Sequence, residues 1–169
     1  MPFHAMTTRI ASTIVLVAFA LALSPARADI VAGNSAYNDG YYEAAYREWL
    51  PVAEQGNAVA QYNVALLYRY GKGRPIDHGT AADWCLKAAN EGFAPAQYEM
   101  ARMYEAGEGV GRSVVEAHKW YALAAVQRYE DAKKRKRKIA KTMTPEEIAL
   151  AEMWQREWKK ARKAESGNE

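Results

Sequence analysis

The 169-residue chain carries one cysteine and three histidines. A single thiol excludes a disulfide scaffold and a thiolate zinc site, and Cys85 reads as a small buried hydrophobe. Beyond the N-terminal segment only His78 and His118 remain, the first read as a solvated linker residue and the second as a helix-surface one. No H-x-x-x-H, H-E-x-x-H or metal-spaced carboxylate cluster accompanies them, so neither metal nor cofactor is expected. A G-x-S-x-G elbow is also missing. Gly71-Lys72-Gly73 and Gly107-Glu108-Gly109 follow no strand and do not resemble a phosphate loop. The expectation is a protein without catalytic residues. Half the residues are hydrophobic and a quarter charged, which excludes disorder and collagen-like classes.

Long apolar runs are scarce as well. The longest, Ile10 to Leu23, would cover about 21 Å as a helix, short of the ~30 Å hydrocarbon core. Pro25 is expected to stop that helix, and Ala26 and Ala28 supply an A-x-A pattern before Asp29. Residues 1–28 therefore read as a signal peptide cleaved after Ala28, directing export across an inner membrane to a periplasm. An uncleaved anchor is the alternative. The remainder suffices for one domain.

What is present is a repeat. Shifting the chain by 36 residues aligns 57–92 with 93–128, and 12 of 36 positions are identical. Among them are Ala58 and Ala94, Gln61 and Gln97, Tyr62 and Tyr98, Gly71 and Gly107, Gly73 and Gly109, and Trp84 and Trp120. Ala58, Gln61, Ala65 and Tyr68 recur at helical spacing, and so do Ala81, Trp84, Ala88 and Ala89 after the glycine break. Each copy is thus two helices. Ser113 to Glu116 and Thr144 to Glu147 fit the capping-box pattern, and Pro95 suits a first helical turn. Arg128 replaces the closing Gly92, which predicts a tighter or differently capped turn. Residues 29–56 form a more tightly turned pair, with Pro51 inside its second helix. After Arg128 the register decays. Residues 129–163 read as a basic helix and a capping helix with Ile148, Met153, Trp154 and Trp158 as its apolar residues. Residues 164–169 read as a disordered tail. No sustained period-two alternation occurs, so the fold class is all-α: a short solenoid of antiparallel helix pairs.

The A-x-A-Q, Y-x-x-G-x-G, A-x-x-W and double-alanine marks of "AQYNVALLYRYGKG…AADWCLKAANEG" and "AQYEMARMYEAGEGV…AHKWYALAA" resemble Sel1-like repeats, a branch of the tetratricopeptide superfamily. The preceding "GNSAYNDGYYEAA" resembles an ordinary tetratricopeptide turn. The resemblance implies an α-solenoid with a concave inner surface, and a role as an adaptor, often in bacterial envelopes. Cysteine-rich relatives that bind or hydrolyse β-lactams carry cysteine pairs absent here, so a hydrolase of cell-wall glycan or β-lactam is the remotest expectation.

On that alignment the first helix of each unit lines the concave side. The expected partner-binding residues are Asn34, Tyr37, Tyr62, Leu66, Arg69, Tyr70, Tyr98, Arg102 and Glu105. Tyrosine and arginine are favoured interface anchors, although Tyr62 and Tyr98, being identical between copies, also fit a packing role. A protein segment is the expected partner. Charge supplies a second feature: residues 29–127 hold 8 basic and 12 acidic side chains, and residues 128–169 hold 13 and 8. The run Lys133, Lys134, Arg135, Lys136, Arg137 and Lys138 is a candidate for an anionic envelope polymer or lipid surface, or else a solvated outer face. Nucleic acid is not expected for an exported protein.

Overall fold

The computed structural model describes residues 25–129 and 131–166. These form eight helices and, among the described residues, no strand: α1 (Pro25–Asn38), α2 (Tyr42–Glu54), α3 (Ala58–Tyr70), α4 (His78–Asn90), α5 (Ala94–Ala106), α6 (Val114–Val126), α7 (Ala132–Ala140) and α8 (Pro145–Ser166). The signal-peptide run lies outside the described residues. Pro25 is the first residue of α1, and the expected cut after Ala28 falls in its first turn. At the other end α8 continues through Ser166, so residues 164–166 are helical where a disordered tail was expected.

Each helix packs on the next from α1 to α7, giving an antiparallel solenoid. Alanine makes the close approach possible: Ala60, Ala88, Ala89, Ala96, Ala101, Ala117 and Ala124 are buried. The glutamine of A-x-A-Q has a role beyond packing. Gln61 Nε2 donates to the Ala53 carbonyl at 3.1 Å, and Gln97 Nε2 to the Ala89 carbonyl at 3.2 Å. Each therefore adds a second hydrogen bond to a carbonyl in the last turn of the preceding helix, tying one helix pair to the next.

The turns between pairs share one geometry. Gly56 and Gly92 take positive φ, with bonds from Gly56 N to Ala53 O and from Gly92 N to Ala89 O. Arg128 was expected to alter this turn. Instead it adopts φ 57° and repeats the same bond to Ala125 O. The constraint comes from the helices on either side, and it holds a side chain in a region that costs about 1–2 kcal/mol. Within pairs, the α1–α2 connection spans residues 39–41, shorter than the seven-residue α3–α4 connection, as expected.

The caps are mostly those anticipated. Thr144 N donates to Glu147 Oε2 at 2.9 Å and Glu147 N to Thr144 Oγ1 at 3.2 Å, a reciprocal capping box. Ser113 accepts from Glu116 N, but the Glu116 carboxylate pairs with Lys119. The C-terminal cap differs from a further repeat, because α8 packs on α6 rather than pairing with α7. Trp158 meets Trp120 edge to face at 6.4 Å, and Arg162 reaches back to Glu91. Ala151 faces the protein, whereas Met153 is 42% exposed. No described helix is long and apolar enough to cross a membrane.

Candidate binding groove

The first helix of each pair contributes to one continuous face, and polar bonds tie these helices together. Asn63 on α3 donates to Asn34 on α1 at 3.3 Å, and Lys72 Nζ donates to the Tyr37 hydroxyl at 2.7 Å while lying over its ring. Tyr70 on α3 donates to Glu99 on α5 at 3.3 Å. Arg135 on α7 bonds Tyr98 on α5, an interaction that holds the guanidinium more firmly charged.

Two cavities lie along this face. The first, about 260 Å³, is lined by Asn34, Tyr37, Asn38, Trp49, Asn63 and Leu66. It offers carboxamides, which both donate and accept, beside aromatic and aliphatic surface. The second, about 290 Å³, is lined by Arg69, Arg102, Glu105, Ala106, Glu108 and Arg135. Asn63 and Leu66 of the first cavity fall 36 residues before Glu99 and Arg102. One groove therefore presents a neutral chemistry at its N-terminal end and an ionic one after it.

Of the expected residues, the structure gathers Asn34, Tyr37 and Leu66 in the first cavity and Arg69, Arg102 and Glu105 in the second. Tyr70 is half-exposed beside the Arg69 guanidinium. Tyr62 packs edge to face on Phe93. Tyr98 is buried between Tyr121 and Tyr129 at 5.4 and 5.6 Å, which commits its ring to packing. Arg69 is committed too: its side chain is 6% exposed, pairs with Glu99, and meets Glu108 at 2.7 Å. Glu99, also 6% exposed, takes Arg102 at 3.2 Å on its other oxygen. Glu105 accepts from the Tyr121 hydroxyl at 2.6 Å, and burial followed by that carboxylate raises the phenol's pKa. Arg102, 41% exposed, is the more accessible of the two arginines that Glu99 holds. Glu99 itself was missed. Its repeat partner is Asn63, so nothing in the period marked it as a charge hub.

The six basic residues expected to act together are divided. Arg135 turns to the groove, Lys136 acts electrostatically on His118, and Lys133, Lys134, Arg137 and Lys138 line a separate cavity with Asp131 and Lys141. His118 is not on the helix surface but 1% exposed, and burial, then Lys136, lowers its pKa. His78 is the first residue of α4 rather than a linker residue, and it is exposed. Cys85 is buried, with its thiol pushed up to about 12 by desolvation, so it has no thiolate character. Among the described residues no His, Cys, Asp and Glu group could hold a metal ion.

The Sel1 repeat profile matches residues 58–93 and 94–127. A protective antigen present in uropathogenic Escherichia coli strains, displaying an SLR fold, superposes with a TM-score of 0.75 at 26% identity, over 79% of this chain and 29% of that one. A Sel1 repeat protein from Oxalobacter formigenes gives 0.60 at 36% identity, over 63% of this chain and 44% of that one. This chain thus spans less than half the length of either neighbour. Among proteins of curated function, none matches the sequence. Residues 58–93 and 94–127 each match the Sel1 repeat, and the fold around them is that of the SLR solenoids.

Proposed function

We propose that the protein is a non-enzymatic adaptor that docks a protein segment along α1, α3 and α5, working in a periplasm after cleavage behind Ala28. One observation carries this reading: two cavities of different chemistry follow each other on a single pre-formed helical face. A rigid groove loses little ordering entropy when it binds, so a short solenoid can hold a peptide with modest affinity. The asparagines suit the peptide backbone, Leu66 and Tyr37 suit an apolar side chain, and Arg102 suits an acidic one.

Capture from a periplasmic extract, with the purified chain as bait, tests the groove. Asn34→Ala with Leu66→Ala, and separately Arg102→Ala, are expected to lose the same protein partner while remaining folded at the capture temperature by circular dichroism. A partner retained by both variants sinks the groove reading. Export is tested apart from this: N-terminal sequencing of the exported chain is expected to begin at Asp29, and Met1 as the first residue excludes cleavage.

A further inference from the structure

We infer that the outward face of α7 is a docking surface for a linear anionic polysaccharide, independent of the groove. Lys133, Lys134, Arg137, Lys138 and Lys141 surround a shallow cavity of about 470 Å³, in which Asp131 is the only acidic residue. None of the ion pairs among the described residues involves any of the five. Lys133 and Arg137, Lys134 and Lys138, and Arg137 and Lys141 each stand four residues apart, the spacing at which like charges destabilise a helix. The helix survives because Ala132 and Ile139 are buried beneath it. A polyanion laid across this face relieves the repulsion and releases its own counterions.

The lining also selects among polyanions. It contains no aromatic ring, so single-stranded bases find nothing to stack on. It contains no apolar side chain, because the two apolar residues between Lys133 and Lys141, Ile139 and Ala140, do not line it, and therefore nothing inserts among lipid tails. An acidic peptide would want apolar contacts that this surface does not offer. What remains is charge spread over about 12 Å of helix, matched by a flexible chain with repeated sulfate, phosphate or carboxylate groups. The other two cations of the run are engaged elsewhere, Arg135 with Tyr98 and Lys136 near His118. This division makes the inference testable.

The full chain is titrated with dextran sulfate, neutral dextran, phosphatidylglycerol vesicles and a single-stranded oligonucleotide, at several salt concentrations. Dextran sulfate is expected to bind and to raise Tm, with a log–log salt slope of about −3.5 to −4.5 for five contacts. Neutral dextran is expected to do neither. K133Q/K134Q/R137Q/K138Q/K141Q is expected to lose at least about 100-fold in affinity, since glutamine keeps the helix propensity while removing the charge. R135Q/K136Q is expected to stay within about 3-fold, because neither side chain lines this cavity. Tighter binding of vesicles or oligonucleotide than of dextran sulfate overturns the inference, as does an equal loss in both variants. Should the five-fold variant not fold, the wild-type slope decides, and a slope shallower than about −1 rejects the surface.

Discussion

Gly109→Ala is expected to lower the unfolding free energy by about 3 kcal/mol, whereas Gly111→Ala changes it by less than about 0.5 kcal/mol. The second glycine of the Y-x-x-G-x-G linker is where one helix pair rests on another. A Cβ built on Gly109 collides with the backbone carbonyl of His78 and lies 3.1 Å from Gly79 N, at the start of α4. Backbone cannot rotate aside as a side-chain end can, so the α4 N-terminus must shift, an overpacking cost of about 1–3 kcal/mol. The φ of +71° adds about 1–2 kcal/mol for any L side chain. Around Gly111 nothing lies within 4 Å. Gly73 repeats the arrangement one unit earlier, with its Cβ direction 2.9 Å from Glu43 N at the start of α2. Urea unfolding of Gly109→Ala, Gly73→Ala and Gly111→Ala checks the ranking. If Gly109→Ala falls within 1 kcal/mol of Gly111→Ala, the linker glycine is a turn residue only.

That contact explains which parts of the fold were legible in the sequence. A 36-residue period reports every feature that both copies share, and here these are the helices, the αL turns and the glycines of the linker. It does not report what a shared residue touches. Gln61 and Gln97 look like members of an apolar stripe, yet their amides close the preceding helix, because that end always lies eight residues upstream. Tyr62 and Tyr98 share one edge-to-face contact, with Phe93 for the first and Tyr129, 36 residues on, for the second, but Tyr98 also meets Tyr121 where the first copy has Cys85. That one unrepeated neighbour leaves Tyr98 buried and Tyr62 only half-buried. The same holds at the edges. Arg128 keeps the glycine geometry because the flanking helices impose it, and α8 turns back over α6 to cover Trp120 with Trp158. His118 is buried beneath the cap, a consequence of α7 and α8 packing on α6 that no local pattern encodes.

Charge at the groove is the other feature that periodicity conceals, and it leads to the second large expected effect. Glu99→Ala should cost about 3 kcal/mol, while Arg102→Ala costs less than about 1 kcal/mol. Glu99 and Arg69 are both 6% exposed and face each other directly, so removing the carboxylate strands a buried guanidinium. Glu108, at 2.7 Å and 40% exposed, keeps part of the compensation, which places the loss at the lower end of the range for a broken buried pair. Arg102 is 41% exposed, and water replaces its partner readily. Replacing both buried members, Arg69→Leu with Glu99→Leu, should recover stability to within about 1 kcal/mol of wild type, since no uncompensated buried charge remains from the pair. Thermal and urea unfolding of wild type and these three variants measure the ranking. A Glu99→Ala cost no larger than that of Arg102→Ala would falsify the buried-pair account. The same variants also separate scaffold from ligand contact at this end of the groove. Arg69 and Glu99 fix α3 against α5, so their loss should weaken partner capture only as far as it unfolds the chain. Arg102 leaves the scaffold standing, and a capture defect in Arg102→Ala at unchanged Tm then belongs to the groove surface itself.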